Sequence, residues 1–359
     1  MDYVKWAKDY LEASVKIDAR IRKTYGTHGT PLETERYKAI RCTNRRDLKG
    51  RTMYVRVTKK KGGRNRPKRN VMGALKYGVQ VPKNVNAALR LDEENGNTYW
   101  RDAIKKEMDA LNDRGVFKKV QNKGTVLDSD YQFAPLRCIF DVKQDQRRKA
   151  RLVIGGHVVD SSEHESYSSN MKTISMRLLL LIAAKNKMKA YTADISNAYL
   201  YADTQEKVYT VCGPEFNFAT ESIAREGDWV TIIRALYGLA TSARQWRREL
   251  SNTLMSLGYV ATRFDQDVWM RMSKCGTYYE YLGTHTDDLI FIARDPEANL
   301  SEITQYYDVK GPGEPKFHLG VDYIRVKKGK NEFLELGTQT YIQEALKKVE
   351  GIVGQPLEP

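Results

Sequence analysis

Cysteine is scarce in this 359-residue chain: Cys42, Cys138, Cys212 and Cys275 are all it has. None falls into a Cys-x-x-Cys pair, which excludes a zinc ribbon, gives no sign of a disulfide framework and points to a reducing compartment. The five histidines show no metal-ligand spacing either. Long apolar runs are missing. Leu178–Ala184 falls far short of the about 20 residues a membrane helix needs, and the opening Met-Asp-Tyr-Val-Lys-Trp lacks a secretory apolar region. Neither a membrane protein nor a secreted one is expected. Acidic residues run short in one place only. The first 90 residues carry 24 Lys/Arg against 7 Asp/Glu, whereas the rest hold 36 against 38. Between Arg41 and Arg69, 13 basic residues face Asp47 alone.

What is present supports a substantial core, since 41% of the residues are hydrophobic. The length exceeds a typical single domain, so one multi-lobed unit with an appendage is expected. The segment Lys59–Arg69 is too polar and Gly-rich to bury a face and reads as disordered or loosely structured. Such an arm suits nucleic-acid contact through counterion release, or else solubility or nuclear import. Before it, Val4, Ala7, Leu11, Val15 and Ala19 recur at helical spacing, predicting a helix over 3–24. Met53–Val57 alternates like a strand.

Two acidic contexts stand out beyond the arm. Asp287 and Asp288 sit between two apolar runs in residues 281–293 and read as the tip of a β-hairpin. Adjacent carboxylates repel and raise each other's pKa unless a cation lies between them. Mg²⁺, which binds through a few carboxylates plus substrate phosphates, is the natural partner. Asp194 closes a second short strand, 189–195, where an acid is disfavoured. Singly, each could be a solvated turn or a cap. If the strands adjoin, three carboxylates converge and could hold two divalent ions for phosphoryl transfer.

Helices are predicted at Tyr99–Asn112, Thr173–Asn186, Ser242–Ser256 and Thr340–Val349, the third burying Trp246, Leu250 and Leu254. Strands are predicted at 137–143, 151–155, 189–194, 207–211, 229–234, 267–272, 277–284, 289–293 and 317–325. The class is α+β, with helices on one side of a largely antiparallel sheet. Trp246 and Leu178–Leu181 read as core.

Several blocks, in order, resemble the reverse transcriptase of copia-type LTR retrotransposons from about residue 80 onward. They are Asn97–Leu111, Arg148–Gly156, Met176–Ala184, Asp194–Leu200, Leu236–Trp246 and His285–Asp288. The resemblance implies a right-hand polymerase fold: fingers and palm at 89–310, a primer-grip hairpin and start of a thumb at 311–359, and a basic extension at 1–88. It implies RNA-directed DNA polymerase activity on an RNA or DNA template with primer and dNTPs. Two Mg²⁺ ions are implied, with Mn²⁺ as substitute. Asp194, Asp287 and Asp288 become the catalytic acids, and Asp194, Ile195, Asp287 and Asp288 the metal site. Lys149 and Arg151, two apart on one strand face, become candidates for the triphosphate. Ile195, Tyr199, Tyr237 and Gly238 join them around the nucleotide. Tyr199 would lie below the sugar and exclude a 2′-hydroxyl, and Gly238 would let the backbone approach. His318, Leu319 and Gly320 resemble the primer grip, and Lys310 stands where a cation could protonate pyrophosphate. The implied compartment is a cytoplasmic virus-like particle or the nucleus.

The chain departs from the family where His285-Thr286 replaces Tyr-Val and where Ala240–Ala243 replaces Lys-Gln-Ala-Pro. No RNase H, protease or integrase signature is seen, so a polyprotein fragment or a degenerate or repurposed copy is expected. A catalytically inactive nucleic-acid-binding remnant is the alternative. Another palm enzyme, such as a nucleotide cyclase, fits the acids but not the other blocks.

Overall fold

The computed structural model describes residues 37–41, 52–56 and 75–353, apart from positions 128, 144, 162, 163 and 330. The helix predicted over 3–24 and the arm at Lys59–Arg69 lie outside the described residues. The chain divides into two units, Met1–Val71 and Met72–Pro359. In the first, β1 (Tyr37–Arg41) and β2 (Thr52–Arg56) form an antiparallel pair, β2 matching the predicted strand within a residue.

The second unit opens with the short antiparallel pair β3 (Leu75–Lys76) and β4 (Val79–Gln80). A helix follows at Val85–Asn95. The Asn84 side chain accepts from the Ala87 N–H at its start, and Gly96 ends it with a left-handed φ of 62°. The next helix, Tyr99–Asp113, buries Trp100, Ile104, Met108 and Leu111. Their spacing is what puts one face inward. That face packs on a long antiparallel hairpin, β7 (Leu136–Val142) and β8 (Arg148–Ile154), through Phe140, Leu152 and Ile154. The same core takes in Phe216 of the turn Pro214–Phe218 and Val208 and Ile232 from a four-stranded sheet. Its order is β5 (Phe117–Lys119), β11 (Trp229–Arg234), β10 (Asp203–Val211) and β6 (Gln132–Phe133), with only β6 and β10 parallel.

A second sheet of six strands is antiparallel throughout. Its order is β12 (Val260–Ala261), β13 (Val268–Met272), β14 (Tyr279–His285), β15 (Asp288–Ala293), β9 (Lys189–Ile195) and β16 (Val309–Gly313). In the central β15, Leu289, Ile290, Phe291 and Ile292 are each at most 1% exposed. Leu289 and Phe291 join Trp246, Leu250 and Leu254 of the helix Ser242–Ser256, with Leu300 and Ile303 of the helix Pro296–Ile303. Ile290 and Ile292 join Met176, Leu179 and Leu180 of the helix Thr173–Lys185. Alternate residues of a strand point to opposite faces, so helices cover both faces and not the single face predicted. A strand covered on both sides reads as an unbroken apolar run, as this one does.

The last elements are β17 (Phe317–His318), β18 (Val321–Lys328), β19 (Asn331–Gly337) and the helix Gln339–Val353. The single strand predicted over 317–325 is broken by a turn, because Leu319 and Gly320 both have positive φ, 50° and 78°. The Asp322 carboxylate accepts from the Thr340 N–H at 2.9 Å and ties this hairpin to the last helix. No helix among the described residues is long and apolar enough to cross a membrane, and Cys138, Cys212 and Cys275 are free thiols.

Candidate active site

β9 lies between β15 and β16, so Asp194 has a partner on each side. Asp288 stands directly opposite on β15, and Lys310 directly opposite on β16. Facing residues in antiparallel pairs share a sheet face, with Cβ atoms about 4.5–5.5 Å apart. Two carboxylates and an ammonium therefore form one row. Asp287 belongs to the two-residue turn Thr286–Asp287 that joins β14 to β15. The Ile195 N–H donates to the Asp287 carbonyl at 2.8 Å and ties this turn to the end of β9. The Ile195 side chain is fully buried, so any contact it makes with a ligand runs through its backbone.

Electrostatics separate the acids. Burial, then Asp287 and Asp194, raise Asp288 to about 6. Burial and Asp287 raise Asp194, while Lys310, Lys149 and Lys143 pull it down. Holding both groups ionised costs free energy that a cation would recover. All the donors are hard oxygens, the set that suits Mg²⁺. Among the described residues no three acidic, histidine or cysteine side chains are already gathered as a metal-ligand cluster. The fit is one of donor chemistry and charge.

The nucleotide candidates also converge. On β8, Ala150, Leu152 and Ile154 are buried, so Lys149 and Arg151 occupy the opposite face. The Arg151 guanidinium lies 5.4 Å from the centroid of the Tyr237 ring, and the Tyr237 and Tyr199 rings are 4.9 Å apart. Burial first, and then Asp287, raises the Tyr199 phenol. A chain of interactions thus runs from the hairpin to the acids. Lys149 is held below the usual ammonium range by burial first, then by Arg151 and Lys143.

Packing alone also requires glycine at position 238. Its φ is 104°, and a Cβ there would collide with the Ile154 carbonyl oxygen. A Cβ at Gly156 would in turn strike the Gly238 carbonyl oxygen. The Ile154 N–H donates to the Tyr237 carbonyl at 2.9 Å. Backbone meets backbone here, and the missing side chain makes room for β8.

His318 comes within electrostatic reach of His285, which faces Asp288 across β14 and β15. His318 is 6% exposed, and burial, then His285, lower it to about 4. Neither His318 Nε2 nor His285 Nδ1 has a hydrogen-bond partner. Leu319 packs partly against the core of Met171 and Ile290.

Three further residues bear on the site. Lys143 follows β7 at the hairpin turn, where its N–H donates to the Arg147 carbonyl at 2.9 Å, and its charge acts on Asp194 and Lys149. Glu107 accepts the Leu152 N–H at 3.0 Å on the open edge of β8. Its carboxyl is raised by burial and lowered by that bond, then by Lys149 and Arg151. Asn170 reaches the turn that carries Asp287. A signal existed for Glu107, which sits three residues after Ile104 and four before Leu111, on the margin of the buried stripe.

Residues 125–354 match the model of the family described as reverse transcriptase (RNA-dependent DNA polymerase). The chain is 26% identical over 259 residues to the retrovirus-related Pol polyprotein from transposon TNT 1-94 of Nicotiana tabacum, covering 68% of this chain and 18% of that protein. It is 28% identical over 218 residues to the corresponding polyprotein from transposon RE1 of Arabidopsis thaliana, covering 59% and 14%. The chain thus spans less than a fifth of the length of these curated relatives. A foamy viral protease-reverse transcriptase solved in complex with double-stranded DNA is 12% identical with a TM-score of 0.34, covering 68% of this chain and 36% of that one. That likeness is too slight to carry the fold. The matched family model spans well over half of the chain, and with the copia-type Pol relatives it identifies this protein as a member of the reverse transcriptase (RNA-dependent DNA polymerase) family, of the copia type.

Proposed function

We propose that this chain is the polymerase region of a retrotransposon Pol polyprotein, adding dNTPs to a primer 3′ end on an RNA or DNA template. The observation that carries the reading is the row Asp288–Asp194–Lys310, at the end of a sheet whose neighbouring hairpin presents Lys149 and Arg151. Residues 89–310 act as fingers and palm, 311–359 as primer grip and start of a thumb, and 1–88 as a basic extension. The work is done in a cytoplasmic particle or the nucleus.

In phosphoryl transfer the protein mainly positions and neutralises. Asp194 and Asp287, with Asp288 assisting and the Ile195 backbone alongside, would hold Mg²⁺ or Mn²⁺, which would supply charge neutralisation and a more acidic primer hydroxyl. Lys149, Arg151 and Lys143 balance the triphosphate. Tyr237 supports both Arg151 and Tyr199, and the Tyr199 ring fills the space a 2′-hydroxyl would need. Lys310 gives its proton to the leaving pyrophosphate. His318–Gly320 steadies the primer end beside His285.

Primer extension on RNA and DNA templates with Mg²⁺ or Mn²⁺ tests the reading. The wild type should extend the primer on both templates. Asp194→Asn should lose more than about 100-fold while binding primer-template normally. Retained turnover in that variant would sink the assignment. Wild-type binding without extension would favour the inactive remnant.

A further inference from the structure

We infer that Asn170 is a positioning residue, clamping the turn that carries Asp287 from one side while Trp246 clamps it from the other. The inference rests on the polymerase reading only for its activity readout. Thr286, the first residue of the turn, has a φ of 57°. A two-residue hairpin turn wants positive φ there, which Gly, Asn or Asp supplies easily. A β-branched residue in this region is a genuine outlier. It persists only where its surroundings over-determine it.

The surroundings do so here. Asn170 Oδ1 accepts the Thr286 N–H at 3.0 Å and the Thr286 hydroxyl at 3.1 Å. Trp246 Nε1–H donates to the Thr286 carbonyl at 2.7 Å. Every polar group of Thr286 is thereby engaged by two side chains. A backbone N–H needs an acceptor, which settles which way the Asn170 amide points.

The clamp itself is anchored. The Met171 N–H donates to the Thr284 carbonyl at 3.0 Å, and the Lys172 N–H to Asp265 Oδ2 at 3.0 Å. Met171 passes so close over β14 that a Cβ at Gly283 would collide with its sulfur. Gly283 therefore lets the 170–172 segment lie where Asn170 meets the turn. Trp246 is 1% exposed in the core beneath. Freed from this grip, Thr286 would relax toward negative φ and carry the Asp287 carboxylate away from Asp194.

A cycle of Asn170→Ala, Thr286→Gly and the double variant tests this, because Gly adopts positive φ without help. Asn170→Ala should lower kcat roughly 10- to 100-fold, with the dNTP KM within about twofold. In the Thr286→Gly background the same change should cost little, since the strain it opposes is gone. Trp246→Phe, which keeps an aromatic ring but replaces the indole and deletes its donor, should also lower kcat and spare KM. Thermal midpoints supply a second readout: Asn170→Ala should lower the midpoint with Thr286 present and leave it nearly unchanged in the Thr286→Gly background. Equal losses in both backgrounds would overturn the clamp. A wild-type chain that extends no primer would refute the polymerase reading, and the thermal cycle would still decide the clamp.

Discussion

At Asp288, burial and two neighbouring carboxylates push the same way and raise the carboxyl to about 6. In the unfolded chain an Asp titrates near 3.9. Between those values the folded state binds the extra proton, so this group's contribution to stability is present below about pH 4. It is lost as pH rises through about 6. At neutral pH the metal-free fold carries an ionised group it would rather protonate. Asp288→Asn should therefore raise the metal-free thermal midpoint at pH 7, flatten its fall between pH 4 and 6, and lower turnover. A lower midpoint with the pH slope unchanged would show that Asp288 is not held in this conflict. The conflict is also why the acids were legible in the sequence: an ionised group inside an apolar strand has no folding reason. Asn170 was not legible, because its partner Thr286 lies 116 residues away and its own loop has no periodicity.

Among the elements, those with a periodic apolar face were readable. Ser242–Ser256 was predicted to the residue, and its three expected core side chains are buried. The helices Val85–Asn95 and Pro296–Ile303 were missed, although both carried start signals: Asn84 caps the first, and Asp295 with Pro296 opens the second. Strand β16 was not readable. It contains Gly311-Pro312-Gly313 and shifts register between Lys310 and Gly313, so its pairing is set by β9 and not by its own propensity. The β7–β8 hairpin shows what such gaps cost a functional reading. Both strands were expected, but only the turn geometry brings Lys143 among the cations. Crowded cations repel until an anion arrives, so on the proposed reading Lys143 serves nucleotide binding more than chemistry. Lys143→Ala should raise the dNTP KM roughly two- to fivefold with kcat nearly unchanged, and Lys149→Ala should raise it more. Steady-state extension across a dNTP series separates the two parameters. A kcat loss without a KM change would remove Lys143 from the binding role.

For the whole molecule the governing fact is where the charge lies. A net +15 chain holds its entire positive excess before residue 90, and the remainder, which includes the acid row, is close to neutral. A body without net positive charge gains little from general attraction to a phosphate backbone. Affinity for primer-template should then come largely from the basic extension, and with it the salt dependence. Seven Lys/Arg lie between Lys59 and Arg69, so changing them to Gln removes a defined block of charge without shortening the chain. On duplex, log K falls against log salt with a slope of about −0.9 per phosphate neutralised. The substituted chain should bind more weakly at low salt and show a shallower slope, by one such increment for each phosphate it no longer neutralises. At saturating primer-template its kcat should match the wild type, because the acids and the β8 cations are untouched. Binding isotherms from 50 to about 200 mM salt, the range over which such ionic binding weakens steeply, give the slope directly. An unchanged slope would make the extension a bystander and return the burden of nucleic-acid binding to Lys149, Arg151 and their neighbours.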